Sequence, residues 1–413
     1  MNQRKTTKTS LTRRGVLSGA AAMGLSTVVR AQQPAEVKVG LIVPLSGIYT
    51  RPGQVMRMGA EMGIEHINAQ GGIQALGGAK LKLVVIDCGD TTEKAKNAAQ
   101  RMVAQETDLV AATGAYLSSF TLAVTEVTER AALPMLTLSY SDLLTERGFK
   151  FIFQTAAPAS RQSELGLPEL MKLAEAASGK RPKTVAMLMD NTATSVATAK
   201  ALKERLFVQE GLQLIVEEVW TPPLSDATPL IQKVRSARPD LLLFMPNAVS
   251  DAKLGLEKIS EFGLGQGKIP TVSFSITIAE PDMLQSVSSD VVQGIMTIVA
   301  NWGSKGHEDL IAELKAKYKE PWMTQNVIST YGDMWLMKDA LEKAGKADRI
   351  AVEAFRTMDG GPSKYYPGGQ LKFDEKGRRI GAGVVIVQWQ SAVPVTVYPS
   401  NLALAQPFWP KRA

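Results

Sequence analysis

Two histidines and one cysteine stand in a chain of 413 residues, and that scarcity removes whole classes of chemistry before any motif is sought. The lone cysteine, Cys88, can make no intramolecular disulfide and offers no CxxC pair. His66 lies in a helical pattern and His307 at a helix start, in no metal-ligand spacing such as HExxH, so no metal site is expected. Nucleophile elbows and P-loops are also missing. The glycine-rich "GGIQALGG" at 71–78 leads from a helix to a strand, the reverse of a dinucleotide fingerprint. Asp87 and Asp90 in "IDCGD" are close enough to pair as carboxylates, but the plainer reading is that Asp90 caps the helix entered through "TTEK". Neither an enzyme nor a cofactor is expected.

Basic tracts are missing too once the first 31 residues are set aside. Those residues hold Arg4, Lys5, Lys8, Arg13, Arg14 and Arg30 and no acid, leaving 41 bases against 40 acids in the remainder. So neutral a body does not steer phosphate backbones, and no nucleic-acid partner is expected. The segment itself reads as a removable export signal: basic "MNQRKTTKTSLTRR", uncharged "GVLSGAAAMGLSTVV", then Val29 and Ala31 as small cleavage-site residues. "LTRRGVL" resembles a twin-arginine signal. Its apolar stretch of 15 residues is shorter than the roughly 20 of a bilayer span. No other long apolar run occurs and no cysteine follows for lipid attachment, so a free periplasmic protein, cut near Ala31, is expected.

What the chain does have is alternation. "VKVGLIVPLS" (37–46) reads as a strand, and "GQVMRMGAEMGIEHINA" (53–69) puts Met56, Ala60, Ile64 and Ile67 on one helical face. Strand "LKLVVIDC" (81–88), helix "TTEKAKNAAQRMVAQE" (91–106) and strand "DLVAATGA" (108–115) repeat the unit. A second series follows "FIFQTAAPAS" (151–160): strands at 183–190, 212–220, 240–247 and 270–275, with a helix carrying Val196, Ala199, Leu202 and Leu206 and others near 228–237 and 250–262. Near-continuous Val, Ile, Leu and Met suit sheets covered on both faces. The fold class is therefore α/β, with two doubly wound Rossmann-like lobes. Helices return at 307–318 and 327–345, and "GGQLKFDEKGRR", "GVVIVQWQ" and "PVTVYP" read as antiparallel strands with a turn at Glu375–Gly377.

In open α/β sheets ligands lie beyond the carboxyl ends of the strands, where helix N-termini point at the crevice. The candidates are "PLSGIYTRPG", "GAYLSSF" and "TLSYSD". Ser118 or Ser119 can cap a helix beginning near Phe120 while neighbouring N–H groups hold a carboxylate; a cap alone is the competing reading. Ser139 and Ser141 recur at the next strand end and favour the ligand. Tyr49, Tyr116 and Tyr140 each follow a strand and form either an aromatic wall or core.

Taken together, "VKVGLIVPLSG", "GAEMGIEHINAQGGI", "VVIDCGDTTEKA", "GAYLSS", "ALPMLTLSYSD", "LTERGFKFIFQTAAP" and "YGDMWLMKDALEKAG" resemble the leucine/isoleucine/valine-binding family, the periplasmic substrate-binding proteins of ABC importers. The resemblance implies a type I periplasmic-binding fold: two lobes joined by three crossings, residues 36–157 plus 303–357 and residues 158–302 plus 358–400, with 401–413 a tail. It implies a small-molecule ligand closed between the lobes, its carboxylate held at Leu117, Ser118, Ser139 and Ser141. It also implies a monomer that docks on an inner-membrane ABC permease.

The departures bear on substrate. Where amino-acid binders of the family place a tyrosine, "MDNTATS" offers Thr194; where they place the acid for a ligand ammonium, "TVSFSIT" offers Ser273, Ser275 and Thr277. Glu280, Asp251 or Asp190 are the possible substitutes, since a buried ammonium without a carboxylate costs several kcal/mol. Arg51, in "TRPG", suits a second carboxylate. A branched-chain or related amino acid is the family default; an aromatic or aliphatic carboxylate or an amide without the ammonium is the alternative. A sensory co-receptor would use the same pocket.

Overall fold

Each apolar run of the first third becomes a parallel strand. In the computed structural model, which describes residues 36–409 apart from 286, 350, 351 and 362, the chain begins with β1 (Glu36–Val43), α1 (Thr50–Ala69), β2 (Lys80–Asp87) and α2 (Thr92–Gln105). It continues through β3 (Leu109–Gly114), α3 (Ser118–Arg130), β4 (Met135–Thr137) and β5 (Ile152–Gln154). These strands form one sheet, ordered β2-β1-β3-β4-β5, in which every pair is parallel. Met56, Ala60, Ile64 and Ile67 are buried on α1 as their spacing requires. The cap of α2 is Thr91, whose side chain accepts from the Lys94 amide; Asp90 instead pairs with the Lys94 ammonium at 2.8 Å, which corrects the expected cap. The export-signal segment lies outside the described residues.

The second series begins with α4 (Ala159–Ser178) and β6 (Thr184–Asp190). α5 (Ala193–Ala201) runs through a π turn at 202–206 into α6 (Phe207–Gln209), followed by β7 (Gln213–Trp220), α7 (Thr228–Ala237) and β8 (Leu241–Met245). Next come α8 (Val249–Glu261), β9 (Thr271–Ser273), the one-turn α9 (Ser289–Val292) and β10 (Met296–Val299). Val196 is 48% exposed, not part of the buried stripe with Ala199, Leu202 and Leu206. The buried face of α5 is instead Thr194, Ser195, Thr198 and Ala199, a helical stripe that leaves Val196 on the outside.

The chain then returns through α10 (Glu308–Tyr318) and α11 (Gln325–Ala344), which pack on α1, passes α12 (Val352–Arg356), and ends in the hairpin β11 (Val385–Gln390) and β12 (Val393–Tyr398). The second sheet is ordered β12-β11-β10-β9-β8-β6-β7; only the β10–β11 and β11–β12 pairs are antiparallel. "GGQLKFDEKGRR" forms no strand of it. A single bridge joins Phe373 to Arg379 around the expected turn. This segment is held on the first sheet's side: the Phe373 ring meets Phe153 at 5.2 Å, and the Arg379 guanidinium donates to Thr155 O at 2.9 Å and Pro367 O at 2.8 Å. Those contacts keep it from extending a ladder on the second sheet. Among the described residues no helix is long and apolar enough to cross a membrane.

Close approach of α1 to α11 depends on Gly59, where an added Cβ would lie 2.2 Å from Val327 O and 2.4 Å from Thr330 Oγ1. Backbone cannot yield as a flexible side chain would. Gly59→Ala is therefore expected to lose about 1–3 kcal/mol of stability, measured as a lower urea midpoint with an unchanged slope.

Candidate functional site

β3 ends on Gly114 at φ +124°, where a Cβ would lie 2.0 Å from Ile42 O. Ala115 and Tyr116 follow at φ +66° and +51°, left-handed conformations that cost an L-residue roughly 1 kcal/mol or more each. Such strain persists only where surrounding contacts fix it, and it clusters at functional sites. Here the turn carries Tyr116 across to the second sheet. Its hydroxyl donates to Asn247 O at 3.0 Å and lies 3.3 Å from Thr277 Oγ1. The Tyr49 ring packs 6.1 Å from that of Tyr116 and 5.7 Å from Phe120 as part of the buried core, and does not itself line the cavity between the two sets of strand ends.

The helix after this turn starts earlier than its serines suggest. α3 begins at Ser118 itself, Leu117 is the cap residue, and no side chain caps it. The Ser118 hydroxyl points across to the neighbouring strand end, accepting from the amides of Tyr140 at 3.2 Å and Ser141 at 3.0 Å. It also accepts from the Thr194 hydroxyl at 3.1 Å, while the Ser118 amide donates to Thr194 Oγ1 at 3.3 Å. Ser139 braces the same turn from below: its hydroxyl donates to Tyr116 O at 2.9 Å and lies 2.7 Å from Thr121 Oγ1. Ser119 is half-buried and lines no part of the cavity.

Opposite stand the ends of β6, β8 and β9. Asp190 is fully buried and accepts from the Thr192 amide (3.1 Å) and hydroxyl (2.7 Å), the Ser195 hydroxyl (2.8 Å), and the Asn247 amide (2.8 Å) and side chain (3.0 Å). Burial pushes its pKa up and these hydrogen bonds oppose the shift. So engaged, Asp190 is a brace for the strand ends. Asp251 is likewise occupied, accepting from Trp220 Nε1 at 2.8 Å.

Between the two sets of strand ends lies a cavity of about 20 Å³, room for about one water. Of the expected residues, Tyr116, Leu117, Ser139, Thr194 and Ser275 line it; Ser118 and Ser141 stand directly behind, joined by the bonds above. Tyr140, one of the three expected strand-end tyrosines, lines it too, as do Asn247 and Gln325. Asn247 ends the strand run "DLLLFMPN", so the strand-end rule reaches it as it reaches Ser139. Gln325 sits at the start of α11, where it accepts from the Tyr140 hydroxyl at 2.6 Å and the Ala300 amide at 2.9 Å. No strand-end argument reaches it. A wider groove, about 530 Å³, lies by Trp335 and Tyr365 and shares no residue with the strand ends.

Arg51 does not line this cavity, and its guanidinium is already taken. Nη1 and Nη2 hold the two oxygens of Glu320 at 2.8 and 2.7 Å, and Nε donates to Asp282 at 2.9 Å. The expectation that it awaits a ligand carboxylate is corrected: three nearby carboxyls already outnumber its one charge. The third is Glu280, fully buried, 4.0 Å from Arg51 Nε and without a hydrogen-bond partner on either oxygen. Burial drives its pKa up to about 8; Arg51 pulls it down, and Asp282 and Glu320 push it up.

A carboxyl whose pKa is raised in the folded protein stabilises the fold at low pH and loses that contribution as pH rises toward its folded value. Asp333, buried against Thr113 and Tyr366, is raised to about 6 by burial, Asp190 is raised and His307 lowered by burial, so between pH 6.5 and 8 the Glu280 part is read as the difference between wild type and Glu280→Gln. Stability there is expected to fall by up to about 1.4 kcal/mol per pH unit, and Glu280→Gln to flatten that slope, in urea titrations at successive pH values.

Two sheets, one wholly and one largely parallel, whose carboxyl strand edges meet at a polar cavity have the architecture of a two-lobed solute-binding protein. The chain belongs to the periplasmic binding protein family, whose sequence pattern matches residues 36–394. It is 26% identical over 396 residues to Leu/Ile/Val-binding protein homolog 7 of Brucella melitensis, covering 93% of this chain and 97% of that one. Homolog 8 of Brucella abortus is 25% identical over 405 residues, covering 95% and 97%. Among solved structures, a Rhodopseudomonas palustris solute-binding protein in complex with 3,4-dihydroxybenzoic acid superposes with a TM-score of 0.74 at 21% identity, over 92% of this chain and 99% of that one. LivJ of Streptococcus pneumoniae in complex with isoleucine gives 0.72 at 18%, over 87% and 99%. These structures share the fold.

Proposed function

We propose that the protein is the extracytoplasmic solute-binding component of an ABC importer, capturing a small carboxylate between two lobes built on the two sheets. The observation that carries this is the pair of contacts across the cavity, Ser118 with Thr194 and Tyr116 with Asn247, each joining opposed strand ends. A cavity of about 20 Å³ admits no amino acid, so entry requires these contacts to part and the lobes to swing open. A carboxylate oxygen then takes the place of Thr194 Oγ1 before the Ser118 amide, at a helix start whose first N–H groups lack intrahelical partners. The relatives' names and the isoleucine and dihydroxybenzoic acid complexes support a carboxylate ligand. Export with cleavage near Ala31, a monomeric state and docking of the closed form on an inner-membrane permease complete the reading.

The test is a thermal-shift screen of protein stripped of carried-over ligand by unfolding and refolding. Probes are leucine, isoleucine, 4-methylpentanoate and 4-hydroxybenzoate, each beside its methyl ester. A ligand at 100 times its dissociation constant adds about 2.7 kcal/mol. At least one free acid is expected to raise the melting temperature while its ester does not; Ser118→Ala is expected to weaken that ligand about tenfold or more. Esters acting as well as acids would remove the carboxylate from the reading.

A further inference from the structure

Lobes that part and close must bend where the chain passes between the two sheets, and hydrogen bonds leave little free chain at two of those passages. After β10 the second sheet holds the chain as far as Val299, which pairs with Val385 of β11. From Asn301 onward the first sheet's side holds it. Asn301 Nδ2 donates to Ser329 Oγ at 3.1 Å and Tyr365 O at 2.8 Å, and the Gly303 amide donates to Met323 O at 2.9 Å. Ala300 alone lies between, so a rotation here falls on the dihedrals around it, as at hinges made of a few element-terminal residues. The earlier passage is nearly as short. The Thr155 amide is still held on β4, donating to Thr137 O at 2.9 Å, and α4 begins at Ala159.

Both passages are held by one pair of side chains. Tyr140, just past the end of β4, accepts from the Ala159 amide on its carbonyl at 2.7 Å, and its hydroxyl donates to Gln325 Oε1 at 2.6 Å. That same oxygen accepts from the amides of Ala300 at 2.9 Å and Asn301 at 3.2 Å. Tyr140 and Gln325 stand on the first sheet's side, and both line the cavity. A side-chain carbonyl has two lone pairs, and hydrogen bonds weaken steeply as their angles depart from linear. Three donors therefore meet this oxygen in one orientation of Ala300, and so at one setting of the lobe that leads into it.

We infer that Tyr140 and Gln325 are positioning residues for lobe closure: they hold the Ala300 hinge in its closed orientation and so set the balance between open and closed forms for every ligand alike. The inference rests on the two-lobed reading above and adds the route by which the contents of the cavity reach the hinge, since the side chains that grip the hinge also form the cavity wall. A residue of this kind changes the fraction of binding-competent protein, and with it every apparent affinity by the same factor. A residue that only contacts ligand changes affinities according to the group it meets.

That difference is measurable by small-angle scattering of the unliganded protein and by calorimetric titration with leucine, isoleucine, 4-methylpentanoate and 4-hydroxybenzoate. The proteins are wild type, Tyr140→Phe, Gln325→Met and the double variant. Tyr140→Phe keeps the buried ring and the bond to Ala159, so its melting temperature is expected to stay near wild type, which separates a hinge effect from misfolding; Gln325→Met leaves the Ala300 amide unpaired and is expected to melt lower. Without ligand, both variants are expected to have a larger radius of gyration than wild type. Every probe that binds wild type is expected to lose affinity by one common factor, about threefold to tenfold for Tyr140→Phe. The double variant is expected to lose less than the product of the single losses, because both groups act through one oxygen. Losses that vary from probe to probe as widely as the loss itself would make the pair ligand contacts only, and an unchanged radius would make it packing only; either result overturns the inference. Failure of all four probes on wild type counts against the carboxylate reading, and the radius then decides the hinge role alone.

Discussion

One hydroxyl, Ser118 Oγ, is the point on which the cleft is assembled. It accepts from two consecutive amides at the end of β4 and from Thr194 across the cavity, so it fixes the spacing of two strand ends on one side and their distance to the other. Two amides and a hydroxyl within 3.2 Å leave this oxygen little freedom, and the turn that delivers it is held equally firmly. Ala115 and Tyr116 adopt left-handed backbone conformations because Ser139 bonds Tyr116 O and because the Tyr116 hydroxyl is anchored on Asn247. The strain is local, while the contacts that balance it come from both sheets.

Most of the scaffold was legible because its signals are local. Apolar runs of five to eight residues became β1, β2, β6, β7 and β8, and the 3.6-residue spacing of Met56, Ala60, Ile64 and Ile67 became the buried face of α1. The rule that ligands lie past strand ends led to Tyr116 and Ser139, and the family resemblance to Leu117, Thr194 and Ser275; all five line the cavity. Failures came where a residue's partner is distant in sequence. Ser118 resembles a cap, yet its bonds run to residues 22, 23 and 76 positions away. "GGQLKFDEKGRR" has a strand's composition, but Phe373 and Arg379 are claimed by Phe153 and Thr155, over 200 residues earlier. Gln325 reaches the cavity from a helix that returns late in the chain.

Arg51 shows the same limit for charge. Sequence gives its sign and its place beside the first strand end, which together suggest an anionic ligand. Whether that charge is available depends on Asp282 and Glu320, 231 and 269 residues away, and these consume it. A bidentate carboxylate pair of this kind has well-defined geometry, so Arg51 is better placed to set the charge balance at the cleft's edge than to meet a ligand.

The contacts across the cavity are also of a kind suited to reversible closure. Ser118 with Thr194 and Tyr116 with Asn247 are neutral hydrogen bonds, worth about 1 kcal/mol each net of water. The short charged link from Arg51 to Asp282 is shared with Glu320, which lies in the connection between α10 and α11 on the first sheet's side. A few such contacts hold the lobes together without locking them. In a balance that close, a ligand need supply only a few kcal/mol of preference for the closed form to shift the population. It can do so by replacing bonds that the lobes otherwise make to each other, as a carboxylate would in front of Ser118. Polar, replaceable contacts at the centre of the cleft are thus what allow one scaffold to close on a ligand and to release it.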